Sequence, residues 1–222
     1  MDDRALIVFD LDGTLIDSRV DLANSANEML ASYGAAPLAV DRIAAMVGEG
    51  ARVLVERAMA AAGVVGPFED AFTRFLDVYD RRALEHTRLY DGIDAVVRDA
   101  ARHGASLAVL TNKPAAHTKR ILDGLGVAPF FQWVIGGDEA YPRKPDPASL
   151  QALMSRARVA ADRTLFVGDS MIDVETARRA GVRSCVALYG FGGIRGNLAL
   201  RDDDLRARDA SELSAVLTQW LR

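Results

Sequence analysis

Apolar residues follow two different spacings, which divide the chain into a helical part and a part where strands and helices alternate. The first apolar run, residues 6–9, has the composition of a buried strand and ends abruptly at Asp10. Beyond it, apolar positions recur at helical spacing to about residue 87. One helical face comprises Leu22, Ala26, Met29, Leu30 and Tyr33, and a later one comprises Phe68, Phe72, Phe75, Leu76 and Tyr79. Residues 16–87 therefore predict a bundle of about four helices without a strand.

From Tyr90 onward, short β-type runs that end in Gly, Asn or Asp alternate with helical segments. The predicted strands are 106–112, 131–137, 164–170 and 182–190, and the predicted helices are 92–103, 114–125, 147–158 and 171–180. This alternation is typical of a parallel sheet with crossover helices, which the strand at 5–10 is long enough to join. The sequence thus predicts an α/β core made of residues 1–15 and 88–222, with a helical domain inserted at 16–87. The polar segment 197–209 is ambiguous, and we expect a short strand in it before a helix at 210–221.

Polar side chains stand where the predicted strands end. They are Asp10 and Asp12 after the first strand, Thr111 and Asn112 after the second, and Asp169, Ser170 and Asp173 after a later one. Lys144 precedes a helix that Asp146 would cap, with Pro147 at its first position. Ligands of open parallel sheets bind at the carboxyl ends of the strands, so we expect these groups to converge there.

Each group also has an ordinary structural explanation. Asp169 and Ser170 could cap the helix at 171–180, Thr111 and Asn112 could form a turn, and Lys144 could be a solvated charge. Asp173, however, follows Asp169 by about one helical turn, and two acids so placed form a hard-oxygen site suited to Mg²⁺. Independent capping would not bring every polar group to one edge of a sheet, which favours a shared site.

Composition narrows the classes of partner. A net charge of −4 and a pI near 5.4 give no general attraction to nucleic acid or to an anionic membrane. Cys185 is the only cysteine, which excludes an internal disulfide and fits a reducing compartment, and we expect it to be a buried strand residue. The four-residue apolar run near the N-terminus is neither a secretion signal nor a membrane span. We expect a soluble, cytoplasmic monomer or homodimer.

Four motifs occur in a fixed order: "DLDGT" at 10–14, "LTN" at 110–112, Lys144 in "RKPDP", and "GDSMID" at 168–173. This set resembles the signatures of the haloacid dehalogenase (HAD) superfamily of phosphatases and spans nearly the whole chain. The resemblance implies a Rossmann-like parallel-sheet core, and the helical block at 16–87 lies where that family inserts its type C1 cap domain. Within the family, "VFDLDGTLIDS", "TNKP" and "VGDSMIDVETARRAG" look most like the phosphoglycolate phosphatases.

The resemblance implies a Mg²⁺-dependent phosphomonoester hydrolase that works through an aspartyl-phosphate, with 2-phosphoglycolate as the expected small-molecule substrate. Asp10 would be the nucleophile, and Asp12 would protonate the leaving group and then activate water. Phosphate would be bound by Thr111, Asn112 and Lys144. The metal ligands would be Asp10, Asp169 and Asp173, with the backbone carbonyl of Asp12.

Features of the helical block leave the substrate open. The glycine-bearing loop 47–52 is expected to face the core unless it is a simple turn between helices, and Arg52, Arg57 and Lys113 are candidates for binding a substrate carboxylate. His86, His103 and His117 are expected at the surface. Alternative substrates are N-acetylmuramic acid 6-phosphate, another sugar phosphate, a nucleotide or pyrophosphate.

A rival of another class is a phosphoryl-accepting signalling module, whose receiver domains also use an aspartate, Mg²⁺, Thr and Lys. Such a module gives no reason for a long helical insertion, so the sequence favours the enzyme.

Overall fold

The central feature of the protein, seen in a computed structural model that describes residues 5–192, 198–202 and 204–222, is a six-stranded parallel sheet. Its strands, numbered along the whole chain, are β1 (Leu6–Phe9), β4 (Ser106–Leu110), β5 (Trp133–Ile135), β6 (Thr164–Gly168), β7 (Arg183–Ala187) and β8 (Leu205–Ala207). They lie in the order β5-β4-β1-β6-β7-β8, with β1 between β4 and β6. The predicted α/β fold class is confirmed.

Helices cover this sheet, as its buried strands require. They are α5 (Ile93–Arg102), α6 (Ala115–Gly124), α7 (Ala148–Ala157), α8 (Met171–Ala180) and α9 (Ala210–Trp220). β1 reads "LIVF" and is fully buried, and Cys185 is buried in β7 as expected. Burial raises the pKa of the Cys185 thiol to about 12, so it is a packing residue.

Four helices are inserted between β1 and the rest of the sheet. They are α1 (Arg19–Ala31), α2 (Val40–Ala44), α3 (Ala51–Ala61) and α4 (Phe68–Arg82). The predicted apolar faces are buried at Leu22, Ala26 and Met29 of α1 and at Phe75 and Tyr79 of α4. These side chains join one continuous apolar cluster with residues of the sheet.

The expectation that 16–87 contains no strand was wrong at its first two residues. β2 (Ile16–Asp17) pairs antiparallel with β3 (Arg88–Leu89), so the chain enters and leaves the helical insertion through one short ribbon. A two-residue strand is too short to show a periodic pattern of apolar residues, so the sequence does not predict it.

Element ends differ from the predictions by one to a few residues, because the polar residues after each strand belong to loops. Pro147, predicted as the first helical residue, is the N-cap of α7, and Asp146 accepts a hydrogen bond from Ala148 N at 2.9 Å. In the ambiguous segment 197–209, the described residues include the expected short strand β8 before α9. Residues 197 and 203 of that segment lie outside the described residues. No helix in the described ranges is long and apolar enough to cross a bilayer.

Asp21 ties the start of the insertion to its end. This fully buried carboxylate of α1 accepts hydrogen bonds from His86 N at 3.0 Å and from Thr87 N and Thr87 Oγ1, both at 2.8 Å. Residues 86–87 immediately precede β3, so Asp21 fixes the returning chain against the first helix.

We expect Asp21→Ala to lower the free energy of unfolding by about 3 kcal/mol, because the backbone N–H groups of His86 and Thr87 lose the buried carboxylate that accepts their hydrogen bonds. Asp77→Ala, at an exposed position of α4, is the matched control and should change it by less than about 0.5 kcal/mol. Urea unfolding measures both. A loss below about 1 kcal/mol for Asp21→Ala would show that water replaces the carboxylate.

Candidate active site

The site lies at the carboxyl edge of the three central strands. Phe9 of β1 is paired with Val109 of β4 and Val167 of β6, so the chains leave these strands side by side. Asp10, Thr111 and Asp169 follow at this edge. The strand order reverses about β1, which is where open parallel sheets bind ligands.

Three carboxylates meet at this edge. Asp10, Asp169 and Asp173 each offer an oxygen within 4.8 Å of the others, and all three side chains are buried. Lys144 Nζ lies 2.8 Å from Asp10 Oδ1 and 2.6 Å from Asp173 Oδ1. The predicted convergence of groups more than a hundred residues apart is therefore present.

Local structure holds the acids in place. Asp173 lies in the first turn of α8, where its Oδ2 accepts hydrogen bonds from Ser170 Oγ at 2.6 Å and Ser170 N at 3.1 Å. Asp169 Oδ2 accepts from Gly192 N at 2.8 Å. Gly13 has a φ of +87°, and a Cβ there would collide with the Asp169 carboxylate, so only glycine fits. The side chain of Asp173 therefore has two roles, because it caps the start of α8 through Ser170 and also contacts Lys144 in the site.

The three acids are electrostatically under-compensated. Burial raises the pKa of Asp10 to about 6, although Lys144 opposes the rise. Burial, Asp173 and Asp10 raise the pKa of Asp169 well above its ordinary value. Burial alone would lower the pKa of Lys144, but Asp10 and Asp173 outweigh it and raise that pKa. Three negative charges against one positive leave an excess that a divalent cation with oxygen ligands would balance.

Asp12 belongs to a separate buried pair. Lys113 Nζ donates to Asp12 Oδ1 and Oδ2, both at 2.9 Å, and Ser18 Oγ donates to Oδ1 at 2.5 Å. Asp12 is thus paired with a different lysine from Asp10 and Asp173, and it lines a pocket together with Asp10. The sequence placed Lys113 among the candidate cations but did not show that it pairs with Asp12.

Asn112 links the sheet edge to the helical insertion. Its Oδ1 accepts from Lys144 N at 2.9 Å, and its Nδ2 donates to Lys144 O at 3.0 Å and to Gly48 O at 2.9 Å. A Cβ at Gly50, whose φ is +94°, would approach Asn112 O to 3.1 Å. Loop 47–52, whose last two residues already belong to α3, thus faces the core as expected, and it does so through a hydrogen bond to Asn112.

A pocket of about 530 Å³, counted with the part open to solvent, extends from Asp10 and Asp12 toward the insertion. Its far wall is largely apolar and includes Leu22, Leu54 and Phe75. The expectation that His117 is a surface residue was wrong, because its side chain is only 11% exposed and lines this pocket.

Two arginines proposed as substrate ligands point elsewhere. Arg52 forms an ion pair with Glu69, and Arg57 forms one with Glu49; all four side chains are exposed. Neither arginine lines the pocket. Of the three cations considered for a substrate carboxylate, Lys113 is the one that lines it.

Comparison with known proteins identifies one family. The model of the family described as haloacid dehalogenase-like hydrolase matches residues 7–187. The curated phosphoglycolate phosphatase of Pseudomonas putida is 41% identical over 212 residues, which cover 91% of this chain and 77% of that protein. The phosphoglycolate phosphatase of Rhodospirillum rubrum is 42% identical over 209 residues, covering 89% of this chain and 86% of that protein.

Solved structures give the same result. A crystal structure described as a predicted phosphoglycolate phosphatase from Haemophilus somnus 129pt superposes with a TM-score of 0.90 at 30% identity. The match covers 97% of this chain and 99% of that one, so both the sheet and the helical insertion have counterparts.

We expect Asn112→Asp to release loop 47–52, because a carboxylate donates no hydrogen bond and would repel the carbonyls of Gly48 and Lys144. Hydrogen exchange of the loop amides should rise about tenfold or more, and the fold should lose about 2 kcal/mol.

Asn27→Asp is the matched control, because the Asn27 amide bonds both Leu38 N and Leu38 O within the insertion. It should cost similar stability without selective exchange in loop 47–52. Equal exchange in the two variants would contradict the link through Asn112.

Proposed function

The chain belongs to the haloacid dehalogenase-like hydrolase family, and from this membership we propose that it is a phosphatase that hydrolyses 2-phosphoglycolate to glycolate and phosphate. The observation that supports it most is the buried group of Asp10, Asp169, Asp173 and Lys144 beside the Asp12–Lys113 pair. Such a site supplies a nucleophile, an acid–base group and charge compensation for a phosphoryl group.

Asp10 is the proposed nucleophile. A carboxylate can accept the phosphoryl group and pass it to water, which divides one slow hydrolysis into two faster steps. Its pKa of about 6 leaves most of this group ionised at neutral pH even before further cations bind. Lys144, at 2.8 Å, holds the attacking carboxylate and can neutralise the phosphoryl charge that arrives there.

Asp12 is the proposed acid and base. It would protonate the leaving oxygen and then take a proton from the attacking water. Its carboxylate lies in the same pocket as Asp10 and is oriented by Ser18 and Lys113, so one group can serve both steps without moving far.

Thr111 and Asn112 are the proposed donors to the phosphoryl oxygens. Thr111 Oγ1 accepts from Lys113 N at 3.2 Å, and its own O–H would donate to a phosphoryl oxygen. The side-chain N–H groups of Asn112 are committed to the carbonyls of Gly48 and Lys144. Donation by this amide would therefore require release of the contact with loop 47–52.

Mg²⁺ is the proposed cofactor, and the donor set fits it. Asp10, Asp169 and Asp173 provide hard oxygen ligands whose charge is not balanced by Lys144, and the backbone carbonyl of Asp12 would complete the protein ligands. When bound, Mg²⁺ would supply positive charge that lowers repulsion between the carboxylates and an incoming phosphate.

Residues 16–87 are the proposed cap domain over a core of 1–15 and 88–222. The insertion covers the carboxyl edge of the sheet, and its loop 47–52 contacts Asn112, so it can exclude water from the reacting groups. The β2–β3 ribbon lies where the chain enters and leaves the insertion. It is therefore the proposed hinge about which the insertion would rotate when the pocket closes.

The largely apolar far wall of the pocket is compatible with a second candidate substrate, a larger phosphomonoester such as N-acetylmuramic acid 6-phosphate. A screen of phosphate release over both compounds, nucleotides and pyrophosphate decides between them through kcat/KM. We expect 2-phosphoglycolate to rank first; a clear preference for another compound would overturn that assignment.

We expect Asp10→Asn to lower kcat for phosphate release by at least ~10⁴-fold, because an amide cannot accept the phosphoryl group in a productive step. Circular dichroism should show an unchanged fold. Asp162→Asn, at an exposed position before β6 on the opposite edge of the sheet, is the control and should keep wild-type kcat. Appreciable turnover by purified Asp10→Asn would refute the assignment of the nucleophile.

We expect saturating Mg²⁺ to raise the Tm of the wild type, because at 100 times its Kd a ligand of the native state adds about 2.7 kcal/mol. Asp169→Asn should abolish that rise. Without metal the same variant should be more stable than the wild type, since it removes one of three mutually repelling buried charges. An equal Mg²⁺-dependent rise in both proteins would exclude Asp169 as a ligand.

A further inference from the structure

The wall of the pocket beyond Asp12 contains two buried polar groups among apolar side chains. They are the Lys113 ammonium and the Tyr79 hydroxyl, and both residues line the pocket. Lys113 comes from the core, just before α6, whereas Tyr79 comes from α4 of the insertion. Lys113 and Tyr79 therefore line the same pocket, one from the core and the other from the insertion.

The Lys113 ammonium can bind a second anionic group in addition to Asp12. It is 7% exposed, and although burial opposes its charge, Asp12 raises its pKa above the ordinary value. Its ammonium donates to both oxygens of one carboxylate and lies 4.6 Å from the centre of the Tyr79 ring. An ammonium has three N–H donors, so it can hold Asp12 and a second anionic group together.

Tyr79 presents a buried hydroxyl beside the Lys113 ammonium. The residue is 2% exposed; within the described residues its OH makes no well-formed hydrogen bond, and the nearby Lys113 ammonium is the group able to donate to it. Burial raises its pKa to about 12, so the O–H proton stays available for donation. The ring is stacked on Phe75 and lies 5.4 Å from the His117 ring, which fixes its direction. A buried O–H whose proton has no acceptor among the described residues is costly, which indicates an acceptor that arrives with the substrate.

The position of these groups matches the chemistry of the proposed substrate. In a phosphorylated 2-hydroxy acid, the carboxylate is attached to the carbon that bears the ester oxygen. Whatever binds the carboxylate must therefore lie within a few ångströms of the acid that protonates that oxygen. Lys113 Nζ, 2.9 Å from Asp12, meets this requirement, whereas Arg52 and Arg57 are engaged with surface acids.

We propose that Lys113 and Tyr79 together bind a carboxylate carried by the leaving group and so select phosphate esters of hydroxy acids. This assignment rests on the proposed phosphatase activity. Lys113 belongs to the core and Tyr79 to the insertion, so both can bind the substrate carboxylate only when the insertion is closed over the core.

The test compares kcat/KM for 2-phosphoglycolate and for ethyl phosphate, which is the same ester with a methyl group in place of the carboxylate. The ratio of the two values cancels any effect of a variant on the phosphoryl-transfer step itself. For Lys113→Met we expect this ratio to fall about 100-fold, and for Tyr79→Phe about tenfold. Lys119→Met on α6 and Tyr33→Phe in the insertion are the matched controls, because both side chains are bonded on the exposed surface.

Each outcome has a distinct meaning. Equal losses on both esters, with the ratio unchanged, would show that Lys113 and Tyr79 act only through Asp12 and would overturn the inference. A wild-type ratio near one, with both esters hydrolysed, would overturn it too, because the enzyme would then not distinguish the carboxylate from a methyl group. If Lys113→Met does not fold, the ratio for Tyr79→Phe alone decides. Absence of hydrolysis of any phosphate ester would instead refute the proposed function, and this inference with it.

Discussion

Mutual repulsion among three buried carboxylates is the constraint on which the rest of the structure depends. One carboxylate oxygen from each of Asp10, Asp169 and Asp173 lies within 4.8 Å of the other two, and burial removes the water that would screen their charges. Lys144 offsets only part of this charge, as the raised pKa values of Asp10 and Asp169 show. Folding thus builds a site with an excess of negative charge, and a divalent cation is the partner whose charge and ligand preference fit it.

The parallel sheet makes this arrangement possible, because its strand ends bring distant segments to one edge. Several side chains there have both a structural and a chemical role. Asp173 completes the first turn of α8 and contacts Lys144, while Asn112 fixes the backbone of Lys144 and reaches the insertion through Gly48. Asp12 has its own cation, Lys113, and is the group that would transfer protons in the proposed reaction.

The sequence predicted the sheet, the helical insertion and the convergence at the strand ends, because these follow from apolar periodicity and from the rule that parallel strands bind ligands at their carboxyl ends. It did not predict the pairing of Lys113 with Asp12 or the pocket positions of Tyr79 and His117. Those contacts depend on how α4 packs against the residues around α6, and local spacing carries no information about packing between elements. Arg52 was misjudged for the same reason, because its partner is seventeen residues away on another helix.

Capture of the phosphorylated enzyme tests the central claim most directly. During turnover of 2-phosphoglycolate with Mg²⁺, an acid quench followed by borohydride reduction converts an aspartyl-phosphate into homoserine, which mass spectrometry locates in the chain. We expect homoserine at residue 10, formed only when substrate and Mg²⁺ are both present. Homoserine at another aspartate, or none while phosphate is being released, would contradict the account.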